Sequence, residues 1–178
     1  MYLVAVVLIL IIIFILAQYN KLIKLRNKVK QSKSGIEVYL NQRFDLIPNL
    51  VECVKAYSKY ESELFENITK LRASYNETKD FDKANKLNNT FNQILALAED
   101  YPDLKASNQF VNLQKNLVKI ESQLQAARRI YNNDVTFYNT KIETIPTNII
   151  ASLFKFKPAE LFQIEEYKRD NINVNIER

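Results

Sequence analysis

Residues 1–17 constrain this chain most, because every side chain in the run is apolar apart from the phenol of Tyr2. A membrane-spanning helix needs roughly 20 apolar residues, with about 17 as the lower limit. No break is evident after the run, and the pattern predicts one helix that continues to Phe44. We therefore predict a transmembrane anchor over residues 1–19, with Tyr19 as its interfacial aromatic residue.

The alternative is a cleaved secretory signal. Such a signal carries positive charge before its apolar run and small residues at its cleavage site. No charged side chain precedes Leu3, and the residues on either side of Ala17 do not fit a cleavage site. The sequence therefore favours an anchor that is retained.

A basic collar follows the anchor, and the first acidic residue after it is Glu37. Positive charge beside a span stays on the cytoplasmic side of the membrane. We therefore predict a single-pass protein of the cell membrane, with its N-terminus outside and its body in the cytoplasm. The collar consists of Lys21, Lys24, Arg26, Lys28, Lys30 and Lys33.

The position of the positive charge also indicates the partner. The chain has a net charge of +5, but residues 18–43 hold seven basic side chains and one acid, so the remainder is close to neutral. A nucleic-acid-binding protein carries its basic patch on the folded body. Here the excess lies beside the anchor, where anionic lipid attracts it. We predict contact with membrane lipid and no nucleic-acid binding.

The remainder of the chain is predicted to be helical, because it has one glycine and four prolines. Apolar residues recur at steps of three and four, as in the seams of helix bundles. Polar or proline-containing breaks fall at 45–48, 76–80, 100–103 and Pro146. The pattern predicts an all-α fold, in which the anchor helix continues into an antiparallel up-and-down four-helix bundle over residues 20–145. A membrane-tethered coiled coil that needs a second chain is the weaker alternative. The predicted seams are 22, 25, 29, 36 and 40; 47, 50, 54, 57, 61, 64, 68, 71 and 75; 84, 87, 91, 94, 98 and 101; and 110, 113, 117, 120, 124, 127, 131, 134 and 138.

The third predicted segment covers residues 146–178. Because the helices alternate in direction, the fourth one returns to the membrane, and residues 149–157 then form an apolar stretch with two lysines. This stretch is predicted either to lie on the bilayer surface or to pack on the membrane-proximal end of the bundle. Residues 170–178 are polar and are predicted to be a frayed tail.

Catalytic residue patterns are absent from the sequence. The chain has no histidine, which excludes the Glu-x-x-His metal sites of helix bundles and any nucleophile activated by histidine. One glycine excludes a glycine-rich phosphate loop. Cys53 is the only cysteine, and we interpret it as a small apolar side chain. We predict no enzymatic activity, no cofactor and no metal.

Four polar residues occupy unusual places. Glu61 and Asp134 fall within apolar seams, while Arg43 and Asp45 flank the first break. Buried charges need partners. The favoured interpretation is structural: Glu61 and Asp134 pair with basic residues, such as arginines, and fix the register of the helices. The functional alternative is a polar groove that receives a protein partner. The candidate arginines are Arg43, Arg72, Arg128 and Arg129.

Two strings carry a resemblance to a known family. Arg43-Phe-Asp-Leu-Ile-Pro-Asn-Leu-Val51 and Ala98-Glu-Asp-Tyr-Pro-Asp-Leu-Lys-Ala106 resemble the signature of the LemA family. Shorter matches extend the resemblance from Met1 to about Glu166. They include Leu25-Arg26-Asn27-Lys28-Val29, Val54-Lys55-Ala56-Tyr57, Glu121, Ala127-Arg128-Arg129, Tyr131-Asn132 and Tyr138-Asn139.

The resemblance implies an N-terminally anchored helical bundle of bacterial membranes, and it implies no reaction. The family usually has His-Glu where this chain has Tyr60-Glu61, so any role that needs that histidine is absent or altered here. Our leading hypothesis is a membrane-anchored scaffold whose bundle docks an unknown protein. The alternative is a homo-oligomeric, membrane-shaping structural protein, which the resemblance suggests by analogy.

Overall fold

The computed structural model describes residues 2–56 and 62–162, and all of their regular structure is helical. The predicted all-α fold, with a long apolar helix at the N-terminus, is confirmed. Glu61, Tyr57 and the predicted frayed tail lie outside the described residues. The elements are α1 (Tyr2–Phe44), α2 (Ile47–Lys55), α3 (Ser62–Thr78), α4 (Phe81–Leu97), a 3₁₀ turn (Ala98–Asp100), α5 (Pro102–Ala106), α6 (Asn108–Glu143) and α7 (Thr147–Leu153).

Helices α1 and α6 pack against each other along the body and run antiparallel. Arg43 pairs with Glu121, and the Lys28 Nζ lies 2.9 Å from Asp134, so residue numbers fall along α6 as they rise along α1. Both helices bury residues at steps of seven. This spacing keeps one seam facing the partner helix and favours a shallow crossing angle. The buried series are Leu22, Val29 and Ile36 on α1, and Leu117, Leu124, Tyr131 and Tyr138 on α6.

The break before Pro48 is a kink and does not reverse the chain. Pro48 has no N–H, so one helical hydrogen bond is missing, but Leu46 keeps α-region angles of φ −82° and ψ −10°. The Leu50 N–H also donates to the Leu46 carbonyl at 2.9 Å. Helix α2 therefore continues beside the N-terminal part of α6 in the direction of α1.

The reversal occurs after Lys55, so the prediction of one helix through the second seam was wrong. Helix α2 ends at Lys55 and α3 begins at Ser62. The Lys55 Nζ lies 5.5 Å from the Phe65 ring centroid, whereas the Arg72 guanidinium bonds Asp45 at 2.9 Å. Helix α3 therefore returns towards the apolar end of α1, alongside α2 and α1.

Local caps fix the hairpin of α3 and α4. Lys79 has a positive φ of 50°, and its N–H donates to the Tyr75 carbonyl at 2.8 Å, which closes the end of α3. The Asp80 carboxylate then accepts from the Asp82 N–H at 3.0 Å and starts α4. Lys33 contacts Phe81 and Arg43 contacts Asn92, so residue numbers rise together along α1 and α4 and the two helices run parallel. Ser107 caps α6 by accepting from the Phe110 N–H at 3.3 Å.

Two different structures cover the seam between α1 and α6. The α3–α4 hairpin covers the half that is distant from the apolar end of α1. The near half is covered by residues 156–162, a non-helical segment that we call the strap, which runs back along α6 after α7. The two coverings meet where Phe162 packs on Phe81, with ring centroids 4.8 Å apart.

Candidate functional site

The first part of α1 is a candidate membrane span. Nearly all of its apolar side chains are exposed, including Leu3 at 78%, and Ala17 is also exposed. Within the described residues, one helix is long and apolar enough to cross a membrane, and this segment lies inside it. Soluble proteins rarely expose a continuous apolar surface of this size, so these residues need a lipid or protein covering.

All six residues of the collar are exposed, but three also contact the body. The Lys28 ammonium pairs with Asp134, and the Lys33 Nζ lies 5.0 Å from the Phe81 ring centroid. The Arg26 guanidinium lies 5.4 Å from the Phe156 ring centroid. The collar therefore joins the body as well as surrounding the end of the span. Lys21, Lys24 and Lys30 make up the rest of it.

Beside the end of the span lies a cluster that we call the foot, consisting of Tyr19, residues 145–157 and the side chains that they contact. The Tyr19 ring centroid lies 4.7 Å from that of Phe154 and 5.8 Å from that of Phe156. Helix α7 buries Ile150 and Ala151 against the body. Residues 149–157 therefore pack on the membrane-proximal end, as one of the two predictions had it, and part of their apolar surface remains exposed.

The foot also has a basic cavity of about 370 Å³. Its lining includes four cationic side chains, Arg26, Lys30, Lys155 and Lys157, and no carboxylate among the described residues. The Tyr138 phenol lines it too, and the hydroxyl donates to the Lys157 carbonyl at 2.9 Å. The electrostatics of this cavity favour an anion.

The strap is held to α6 by two copies of a Tyr-Asn pair. Tyr131 donates to the Glu160 carbonyl at 2.8 Å, which repeats the bond from Tyr138 to residue 157. Asn132 bonds both the N–H and the carbonyl of Phe162, at 2.8 and 3.1 Å. Asn139 does the same at Ala159, at 2.9 and 2.8 Å.

The spacing of the two pairs explains this fit. Seven residues of helix rise about 10.5 Å, and three residues of extended chain rise about 10 Å. A repeat of seven on α6 therefore matches a repeat of three on the strap. Burial raises the pKa values of Tyr131 and Tyr138, so both phenols stay protonated and remain donors.

Arg43 lies at the polar centre of the bundle and is 6% exposed. Its guanidinium bonds Glu121 on α6 and the Asn92 side-chain oxygen on α4, the latter at 3.0 Å, and stacks on Phe91 at 5.1 Å from the ring centroid. One side chain thus joins three helices. Burial lowers the pKa of Arg43, and the Glu121 charge opposes that effect.

A second arginine shares the same carboxylate. The Arg128 guanidinium lies 3.9 Å from Glu121 and 4.7 Å from the Phe162 ring centroid. Burial lowers the pKa of Arg128 as well. The Nε atoms of Arg43 and Arg128 are buried without a hydrogen-bond partner among the described residues. Two buried cations thus depend on one half-buried anion, which makes the cluster sensitive to loss of that carboxylate.

The other polar residues of the seams also have partners. Asp134 was predicted to pair with a basic residue such as Arg43, Arg72, Arg128 or Arg129. Its partner is basic but is the collar residue Lys28, which reaches it because α1 and α6 are antiparallel. Asp45 is exposed and pairs with Arg72 at 2.9 Å. Glu61 lies outside the described residues, as does the Tyr60 position that departs from the family pattern.

The end of the bundle that is distant from the candidate span has an open groove of about 600 Å³ between α2 and the start of α6. Amide side chains such as Asn49, Gln109 and Asn116 line it beside the apolar Leu113, and the half-buried Cys53 lines it as well. Burial, together with the Glu52 charge, raises the pKa of Cys53, which keeps the thiol protonated and weakly nucleophilic. In the described part of the chain, no three acidic or cysteine side chains cluster as metal ligands would.

Glu121, Asn92 and the two Tyr-Asn pairs are candidate functional residues that sequence reasoning did not single out as a site. Asn92 gives no signal because it lies beside the apolar seam of α4. The two Tyr-Asn pairs do leave a signal in the sequence, because the dipeptide at 131–132 recurs seven residues later at 138–139. That repeat places two identical hydrogen-bonding units on one side of a helix.

The family model and a curated relative place this chain in the same family. The family model described as the LemA family matches residues 32–176. Protein LemA of Metamycoplasma hominis is 26% identical over 162 residues, which cover 88% of this chain and 74% of that protein. Magnetosome protein MamQ 2 of Paramagnetospirillum magneticum is 22% identical over 179 residues, which cover 84% of this chain and 66% of that protein. The chain thus spans slightly less than two thirds of the magnetosome relative.

Proposed function

We propose a scaffold function for this chain, which belongs to the LemA family. In this proposal α1 anchors the protein in the cell membrane in a single pass, with the N-terminus outside and the bundle in the cytoplasm. The bundle holds a protein partner at its membrane-distal end and carries out no reaction of its own. The basic collar supports this orientation, because positive charge flanking a span stays in the cytoplasm.

The observation that carries the proposal is the continuity of α1. One helix runs from Tyr2 to Phe44, first exposed and apolar and then packed within the bundle. Helix α2 extends it to Lys55, which lies roughly 50 Å from Tyr19 at 1.5 Å per residue. Span and body therefore form one rigid unit that holds the distal groove well clear of the bilayer, as suits a scaffold.

The chemistry of the side chains supports a role without catalysis. The chain has no histidine, and its single thiol is kept protonated. The buried Arg43 and the largely buried Arg128 are both engaged with Glu121, and Arg43 thereby connects helices. Charges that connect helices in this way have a structural role.

A homo-oligomeric, membrane-shaping protein is the second candidate. The observation that favours it is the foot, where large apolar side chains stay exposed beside the end of the span. Surfaces of this kind bind lipid or other proteins. A second copy of this chain is one such protein.

The experiment is site-specific photocrosslinking in intact membranes. Photoreactive residues replace Gln109 and Asn116, which are exposed on the rim of the distal groove, and Thr136, an exposed position on the lower part of α6, serves as control. The scaffold proposal predicts that both rim positions capture the same unrelated protein and that Thr136 does not. Asn112→Arg, which fills the groove with a larger side chain, is expected to abolish that capture.

Other results contradict the scaffold proposal. If the rim positions capture only copies of this chain, the homo-oligomeric function replaces it. Capture of the same proteins at Thr136 as at the rim, or capture that survives Asn112→Arg, means that the groove is not a docking site.

A further inference from the structure

We propose that the foot is a binding surface for anionic lipid, separate from the span itself. In this proposal the exposed apolar side of residues 145–154 enters the interfacial layer of the bilayer, and the basic cavity above it takes a phosphate-bearing lipid headgroup. The inference rests on the anchoring that we proposed above and adds a second contact to it.

The first observation is the exposure of apolar side chains around α7. Ile145, Ile149 and Leu153 are 82%, 68% and 69% exposed and recur every four residues, while Phe154 is 47% exposed. The opposite side of α7 is packed against the body through Ile150. Apolar side chains therefore lie on both sides of the short helix, and the exposed ones have no covering among the described residues, so they suit contact with a membrane interface.

The second observation is the position of this surface relative to the end of the span. Phe154 contacts Tyr19, which lies two residues beyond the apolar run, and Ile15 is half-buried against the core while its neighbours in the span are exposed. The foot therefore adjoins the end of the span. The apolar run is near the lower length limit for a span, and short spans draw flanking residues towards the bilayer.

The third observation is the charge of the cavity. Lys155 and Lys157 follow α7 directly, and Arg26 and Lys30 face them from the collar. Arg26 lies nine residues beyond Ala17, about 13 Å along the helix. Long basic side chains extend their charges over such distances to reach headgroups. The apolar side chains of the foot and the cations of its cavity thus match the apolar interior and the charged headgroups of an anionic membrane surface.

The strap gives this surface a fixed orientation. Tyr138 holds the carbonyl of Lys157 and Asn139 holds the backbone of Ala159, immediately after the cationic pair. Phe156 is fixed between Tyr19 and Arg26. The foot is therefore held in place before lipid binds, which lowers the entropic cost of binding.

The chain contains no tryptophan, so one introduced tryptophan reports its own surroundings. Full-length protein is reconstituted in vesicles of phosphatidylcholine and phosphatidylglycerol that contain brominated lipids, which quench nearby tryptophan. Leu153→Trp probes the foot, Ile9→Trp the span, and Val118→Trp the exposed distal part of α6. We expect bromine near the headgroup to quench Leu153→Trp at least about twofold more than Val118→Trp, and bromine deep in the acyl chains to quench Ile9→Trp most.

The charge requirement is tested in the Leu153→Trp protein. Replacing phosphatidylglycerol by phosphatidylcholine is expected to reduce the quenching, and Lys155→Gln with Lys157→Gln is expected to abolish this dependence on anionic lipid. Lys115→Gln with Lys119→Gln is the matched control on the exposed distal part of α6, and it is expected to retain the dependence.

The outcomes separate this inference from the proposed anchor. If Ile9→Trp is quenched while Leu153→Trp behaves like Val118→Trp, the foot does not contact lipid although the anchor does. If Ile9→Trp is not quenched, the anchoring itself fails. Equal quenching of Leu153→Trp with and without anionic lipid overturns the role of the cavity.

Discussion

Arg43 shows which properties of a single residue the sequence predicts and which it does not. Its place between the apolar Leu40 and Phe44 marks it as a charge within a seam, and the structure buries it. Its partner Glu121 lies 78 residues away and outside the apolar positions of α6. No local pattern pairs such residues, because the pairing depends on the register between α1 and α6. The choice of Lys28 as the basic partner of Asp134 depends on the same register.

The cluster around Arg43 gives the first prediction. Glu121→Gln removes the carboxylate that Arg43 and Arg128 share among the described residues, so we expect the free energy of unfolding to fall by about 2 kcal/mol, less than for a fully buried pair. Chemical denaturation of the detergent-solubilised protein measures it. The matched control Glu143→Gln, at an exposed carboxylate of the same helix, should change it by less than about 0.5 kcal/mol. Equal effects of the two changes would contradict the account.

Tyr75 gives a prediction about pH. Burial, with a smaller contribution from the Glu37 charge, raises the pKa of Tyr75 to about 12, from 10. Because the folded pKa is the higher one, the stability from this group is complete below pH 10 and is lost as the pH rises towards 12. The hydroxyl is buried without a hydrogen-bond partner among the described residues, so Tyr75→Phe should cost nothing at pH 7.

The measurement for Tyr75 is the free energy of unfolding between pH 7 and pH 12. We expect Tyr75→Phe to lose roughly 2 kcal/mol less than the parent over the alkaline part of this range, since two pKa units correspond to at most about 2.7 kcal/mol. Parallel profiles for the two proteins would refute the assignment.

Gly35 gives a prediction of stabilisation. It lies inside α1, and a Cβ at this position would meet no atom within 4 Å among the described residues. Glycine within a helix is less favourable than alanine by roughly 0.5–1 kcal/mol. Gly35→Ala should therefore raise the midpoint of thermal unfolding of the full chain. A lower midpoint would mean that a neighbour, such as a second copy, needs the space at this position.

Among the elements, the long helices were predictable and the connections were not. The stepwise apolar pattern predicts α1, α4 and α6, because each buries one stripe. Proline did not mark the reversal, because the chain only kinks at the proline-containing break at Pro48 and reverses between Lys55 and Ser62, where the sequence has no proline. The strap was missed because an extended segment held by its main chain has no side-chain period of its own. The repeated Tyr-Asn pair on α6 was its only signal.

The strap gives a prediction at this scale. Asn139→Ala removes two hydrogen bonds to the backbone of Ala159, so we expect amide hydrogen exchange at Ala159 to accelerate at least about tenfold, which corresponds to about 1.4 kcal/mol. Asn133→Ala is the control, because Asn133 is an exposed residue of the same type on the same helix. If both variants exchange like the parent, the strap is not held by these side chains.

In the whole molecule, positive charge and exposed apolar surface are concentrated at one end. The exposed apolar span, the basic collar and the foot lie at one end, and the open groove lies at the other, with α1 joining them. Length, breaks and charge distribution predicted this polarity. The sequence did not predict the basic cavity of the foot, because its four cations come from two segments more than 120 residues apart.

The measurement that tests the central claim most directly is the membrane topology of the full chain. In a Cys53→Ser background, single cysteines replace Tyr2, at the apolar end of α1, and Lys119, an exposed residue in the distal half of α6, and intact cells are treated with a membrane-impermeant maleimide. An anchored bundle in the cytoplasm predicts that Tyr2→Cys is labelled in intact cells and Lys119→Cys only after permeabilisation. Labelling of Lys119→Cys in intact cells would place the bundle outside and contradict the account.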